Sequence, residues 1–178
     1  GVTDAPWPAA AHIGTAMGAR GTDVAREAAS LVLLDDDLST LVQGVRLGRR
    51  IGDNLRKAMR FVFAVHVPIA GLAVVPLALG WPLLFTPMHI AFLEIVIDPV
   101  CSIAFEAEAE EPDVMARPPR DPAAPLFSLP MIAASLLQGG WVLLAVGLFY
   151  GAMLQAGLGE NMARTGAFVA LVVSNLGL

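Results

Sequence analysis

Runs without charge alternate with charged stretches along this chain, and the longest run decides the reading. From Phe61 to Leu93 there is no Asp, Glu, Lys or Arg, which exceeds the roughly 20 residues one helix needs to cross a bilayer. Gly80-Trp81-Pro82 and Thr86-Pro87 break it with turn residues and an interfacial tryptophan. The pattern therefore predicts one span near 60–79 and a second near 86–106. A third apolar run predicts a span over 129–154, and a fourth begins near Ala163 and ends with the chain at Leu178. Those last 16 residues are short for a crossing. Before Phe61 the pattern differs. An apolar piece His12 to Met17, a helical piece Thr22 to Ser30 and the strand-like Leu31 to Leu34, closed by Asp35-Asp36-Asp37, read as part of an α/β domain. From Thr40 a helical pattern with Val42, Val45, Leu47 and Ile51 runs without a break into the first span.

Composition agrees. Of 178 residues 56% are hydrophobic and 15% charged, against about 45–50% apolar in ordinary soluble domains. Charge is uneven: residues 1–60 carry 8 Lys/Arg and 7 Asp/Glu, the rest 3 and 9. The net charge of -5 and the lack of a basic patch with interleaved aromatics set nucleic acid aside as a partner. A single cysteine, Cys101, excludes an internal disulfide. Arg46, Arg49, Arg50, Arg56, Lys57 and Arg60 precede the first span, and the turn after it carries no basic residue. Residues 1–59 are therefore expected on the cytoplasmic side of a cell membrane, with the loop bearing Arg117 and Arg120 on the same side. With no initiating methionine and a short final run, the chain is expected to be a piece of a longer protein.

The candidate chemistry lies in the second span. Glu94 and Asp98 are four residues apart, which puts both carboxylates on one helix face. An acid at the bilayer centre costs about 2.5–3.5 kcal/mol or more, so function is the default reading; the bland alternative is a pair near the span's end that reaches out to water. Pro99 is expected to open the helix at Asp98 and free carbonyl oxygens beside the carboxylates. Such a donor set suits a hard cation such as calcium, magnesium or manganese. His66, two residues before Pro68, is a candidate ligand or supporting group. A softer site from His66, Met88, His89 and Cys101 draws little support, since no Cys-x-Cys or Cys-Pro pair is present. At the front, Gly1-Val2-Thr3-Asp4-Ala5-Pro6 is a loop that could sit beside a phosphate or magnesium ion, although alone it reads as an ordinary turn.

Taken together, these segments resemble the C-terminal half of a P-type cation-transporting ATPase of the calcium-pump-like group. The resemblance rests on an ordered set: Gly1 to Pro6, His12 to Gly18, Gly21 to Ala25, Leu33 to Asp36, Asp53 to Lys57, Pro112 to Arg120, and Ala163 to Leu178. It implies a mainly α, multi-pass transmembrane bundle over 60–178, a cytoplasmic stalk helix over 40–59, and over 1–39 the remnant of an α/β, Rossmann-like, HAD-type phosphorylation domain. It implies ATP-driven transport through a phospho-aspartate, with ATP and Mg2+ bound mostly outside this chain and the lipid bilayer, the cation and upstream domains as partners. Thr3 and Asp4 would belong to the hinge loop near the phosphorylation site, with Thr3 where the family usually has Asn. Asp98 matches an ion-binding Asp, Glu94 a calcium-pump Asn, His66 an ion-ligand Asn and Ile69 an ion-ligand Glu. One acid has thus changed helix, and a divalent cation stays favoured. The alternatives are proton or monovalent-cation transport, or a non-catalytic membrane module if no upstream catalytic domains exist. Without those domains the chain should be inactive alone.

Overall fold

The computed structural model describes residues 10–121 and 125–178, and of Asp98 the backbone only. Thr3 and Asp4, expected in a hinge loop, thus lie outside the described residues. The element order is β1 (Thr15–Met17), α1 (Asp23–Ala28), β2 (Leu31–Leu33), α2 (Leu38–Ala78), α3 (Pro87–Ala107), α4 (Leu129–Gln155) and α5 (Glu160–Leu176). The chain divides into two compact units, Gly1–Ile51 with Glu110–Pro118, and Gly52–Ala109 with Pro119–Leu178.

In the first unit β1 and β2 pair in parallel, Thr15 opposite Leu31 and Met17 opposite Leu33, with α1 as the connection that parallel strands require. The hydroxyl of Thr22 caps α1 by accepting from the backbone N–H of Ala25 at 3.3 Å. Ala16, Ala25 and Leu33 are buried. After β2 the chain turns at Asp36, which has φ 57°, a conformation that Asp tolerates because its short side chain bonds locally. Its carboxylate accepts from the backbone N–H of Ala19 at 3.0 Å and of Arg20 at 2.9 Å, and from Arg20 Nε at 3.1 Å. Burial pushes this carboxyl's pKa up, yet these donors together hold it below the ordinary value. Asp35 is also lowered, by the Thr40 hydroxyl first, and Asp37 by the backbone and hydroxyl of Ser39. In the same unit Arg49 donates to the carbonyls of Val114 and Arg117 at 2.8 and 2.7 Å, which ties the loop Glu110–Pro118 to the first part of α2.

The second unit is helical. Among the described residues three helices are long and apolar enough to cross a membrane: α2, α3 and α4. The last two match the expected spans to within a residue. Helix α5 has 17 residues and starts three earlier than expected, at Glu160. The core gathers Val65, Ile69 and Leu72 of α2, Leu93 of α3, Val146 and Tyr150 of α4, and Ala163, Ala167 and Leu171 of α5. The predicted break after the first span is real. Gly80 takes φ 69°, Trp81 packs edge-on against Tyr150 with ring centroids 6.1 Å apart, and Tyr150 Oη donates to the carbonyl of Pro82 at 2.9 Å. Gly139 allows α2 and α4 to touch, because a Cβ there would sit 2.2 Å from Ala64 O. That carbonyl is the one whose helical donor is missing at Pro68.

One expectation is corrected. Helix α3 does not open at Asp98; it runs unbroken from Pro87 to Ala107 with Pro99 inside. A proline in a helix removes one N–H and strains one carbonyl, here that of Ile95, and neighbouring helices in an apolar core can keep the rest of the turns paired.

Candidate functional site

Two helices of the second unit set the site. On α2, His66 follows the buried Val65 and faces away from the core; on α3, Glu94 follows the buried Leu93 in the same way. Val65 and Leu93 belong to one apolar cluster, which holds the two helices in the same core. His66 Nε2 lies 3.6 Å from Glu94 Oε2. The other ring nitrogen, Nδ1, is 2.8 Å from the carbonyl oxygen of Val62, one turn earlier. The side chains are 45% and 35% exposed, so the pair keeps open sides for further ligands. Asp98 is on the same helix one turn after Glu94, and its side chain lies outside the description.

His66 and Glu94 are thus brought together. His89 is occupied elsewhere: the backbone N–H of Thr86 donates to its Nδ1 at 3.2 Å, and Thr86 Oγ1 is 2.7 Å from the same nitrogen. This caps the first turn of α3, and the ring rests on Phe168 with centroids 5.5 Å apart. Among the described residues no three His, Cys, Asp or Glu side chains form a metal-binding group.

One polar residue escaped the sequence reading. Asn175 on α5 is 7% exposed, and neither its amide nitrogen nor its amide oxygen has a hydrogen-bond partner among the described residues. A buried unpaired amide is costly and calls for an explanation. It lies one turn after Leu171, which packs in the same cluster as Val65 and Leu93. An amide within the apolar run Ala163 to Leu178 was the available signal.

At the end of α3 the charges pair with α2. Lys57 Nζ is 2.6 Å from Glu108 Oε1, and Asn54 Nδ2 donates to the carbonyl of Glu108 at 3.2 Å. These bonds fix α2 against α3 below the His66–Glu94 pair.

Comparison with known proteins gives a consistent picture. Residues 82–178 match the family model described as cation transporting ATPase, C-terminus. The chain is 34% identical over 172 residues to calcium-transporting ATPase 1 of Lactococcus lactis, covering 96% of this chain and 20% of that protein. It is 35% identical over 182 residues to a calcium-transporting ATPase of Bacillus subtilis, covering 99% and 20%. A sodium/potassium-transporting ATPase subunit alpha of Drosophila melanogaster is 35% identical over 150 residues, covering 84% and 14%. The chain spans about a fifth of the length of the first curated relatives it matches.

Proposed function

Because this chain belongs to the P-type cation-transporting ATPases, we propose that it forms the C-terminal, membrane-embedded part of a pump that moves a divalent cation, calcium or manganese, through a phospho-aspartate cycle. The observation that carries this reading is the approach of His66 to Glu94 between two helices able to cross a membrane. An intramembrane acid and a facing imidazole are expensive to keep there without a function. Glu94, Asp98 and His66 are the cation ligands in this reading. The β1-α1-β2 segment is the end of the α/β phosphorylation domain, residues 40–59 are the stalk, and Thr3 and Asp4 belong to the hinge. ATP and Mg2+ act in the full-length protein, bound mostly outside this chain, and residues 1–59 face the cytoplasm.

The similarity to a sodium/potassium-transporting subunit favours one second reading, in which Glu94 or Asp98 serves a monovalent ion or proton. Cation-stimulated ATP hydrolysis by the full-length protein, at constant Mg2+, separates the two. The divalent reading expects stimulation by an added divalent ion and its loss in Asp98→Asn and Glu94→Gln. Unchanged stimulation and affinity in both variants would sink the ligand assignment. Activity that follows pH or monovalent ions alone would establish the second reading.

A further inference from the structure

The substrate class narrows further at the one nitrogen donor of this pair. His66 Nδ1 is 2.8 Å from the Val62 carbonyl oxygen. A carbonyl only accepts, so Nδ1 carries a proton, and Nε2 is the ring nitrogen turned toward Glu94. An imidazole whose far N–H rests on a backbone carbonyl is the arrangement that fixes tautomer and ring orientation in metal-bound histidines. Glu94 Oε2 is 3.6 Å from Nε2. That is long for a hydrogen bond, whose N–O distances cluster near ~2.9 Å. An ion held about 2.1 Å from each atom would set them about 3.0–3.4 Å apart, at angles from octahedral to tetrahedral, which asks for a closure of a few tenths of an ångström.

Spacing alone also admits calcium, with bonds of about 2.3–2.6 Å. Donor type separates the candidates. Calcium and magnesium are held by oxygen, whereas imidazole suits zinc, iron, nickel and copper. Calcium at this site would make no use of the imidazole nitrogen. Monovalent copper prefers thiolate and thioether groups, and the neighbouring His89 is spent on capping Thr86. The remaining set is one imidazole with carboxylate oxygens.

The geometry points to a first-row transition-metal dication of the zinc or iron kind as the pump's substrate, with His66 Nε2 as the ligand that selects it over calcium. This rests on the reading of the chain as part of a divalent-cation pump, and replaces calcium or manganese as the ion carried.

The test uses the full-length protein in lipid nanodiscs at constant Mg2+, with chelator-buffered Zn2+, Co2+, Mn2+ and Ca2+, for wild type, His66→Asn and His66→Gln. ATP hydrolysis in the wild type should be half-stimulated by Zn2+ or Co2+ at concentrations at least ~10-fold below those needed for Ca2+. His66→Asn should weaken the response to Zn2+ and Co2+ by at least ~10-fold, a scale that changes beyond the ligands themselves already reach, and should keep the response to Ca2+. Zinc X-ray absorption of the loaded wild type should show the outer-shell scattering of an imidazole, a readout free of turnover that decides the matter if both variants fail to fold. Stimulation by Ca2+ at the lowest concentrations, loaded zinc without imidazole scattering, or a His66→Asn response unchanged for every ion would overturn the selectivity while leaving the pump intact. Absence of stimulation by any cation would instead bring down the pump reading itself.

Discussion

Gly139 and Gly140 are adjacent on α4, and alanine should have opposite effects at the two positions. A Cβ at Gly139 would lie 2.2 Å from Ala64 O and 2.8 Å from Val67 Cβ. Carbon and oxygen do not approach below about 3.2 Å without repulsion, and the neighbour here is backbone, which cannot rotate away; α2 and α4 must part by about 1 Å. Parting them also loosens Leu143 over Gly71, where a Cβ would meet Leu143 at 2.4 Å. The carbonyl of Ala64 has lost its helical N–H donor to Pro68. Overpacking costs about 1–3 kcal/mol, so Gly139→Ala should destabilise the helical unit by about 3 kcal/mol. Around Gly140 there is nothing within 4 Å, and alanine there should stabilise the helix by about 0.5–1 kcal/mol. Reversible unfolding of the purified protein in mixed micelles by SDS, followed by tryptophan fluorescence, measures both. Midpoints that shift equally, or a Gly139→Ala midpoint within about 0.5 kcal/mol of wild type, would refute the close crossing.

Tyr150→Phe removes the donor to Pro82 O, 2.9 Å away in a fully buried position, and should cost about 1–2 kcal/mol in the same unfolding assay. Asp36 has a lowered native pKa; its contribution is therefore complete above the ordinary value of 3.8 and is lost as pH falls through the lowered native value. Hydrogen exchange across residues 14–36 should quicken as pH drops below about 4, beyond the intrinsic change in exchange rate. Asp36→Asn, which tolerates the positive φ, should remove that acid step while leaving faster exchange already present at neutral pH.

The transmembrane character and the helices α3 and α4 were legible in the chain itself. Bilayer length and the cost of a buried charge act residue by residue, so a charge-free run fixes a span with no knowledge of its neighbours. The helical piece Thr22 to Ser30 and the strand-like Leu31 to Leu34 were nearly as plain, whereas the parallel pairing of β1 with β2 was decided by the fold. Pro99 misled the reading because a local rule for the residue before proline was applied to a helix whose other turns are held by packing. His66 and Glu94 were each nameable from sequence. Their separation of 3.6 Å was not, because 27 residues, a turn among them, lie between the two and the packing of the apolar cluster sets how the two helices face. The same limit hid Asn175: an amide in an apolar run is ambiguous until folding has buried it and left both of its polar atoms without partners. Sequence determined where the chain enters an apolar medium and which residues are too costly to be there by chance, since these are sums over single residues. Only the tertiary structure decided which of those residues meet and which nitrogen of His66 is turned toward Glu94, since these depend on how three helices pack.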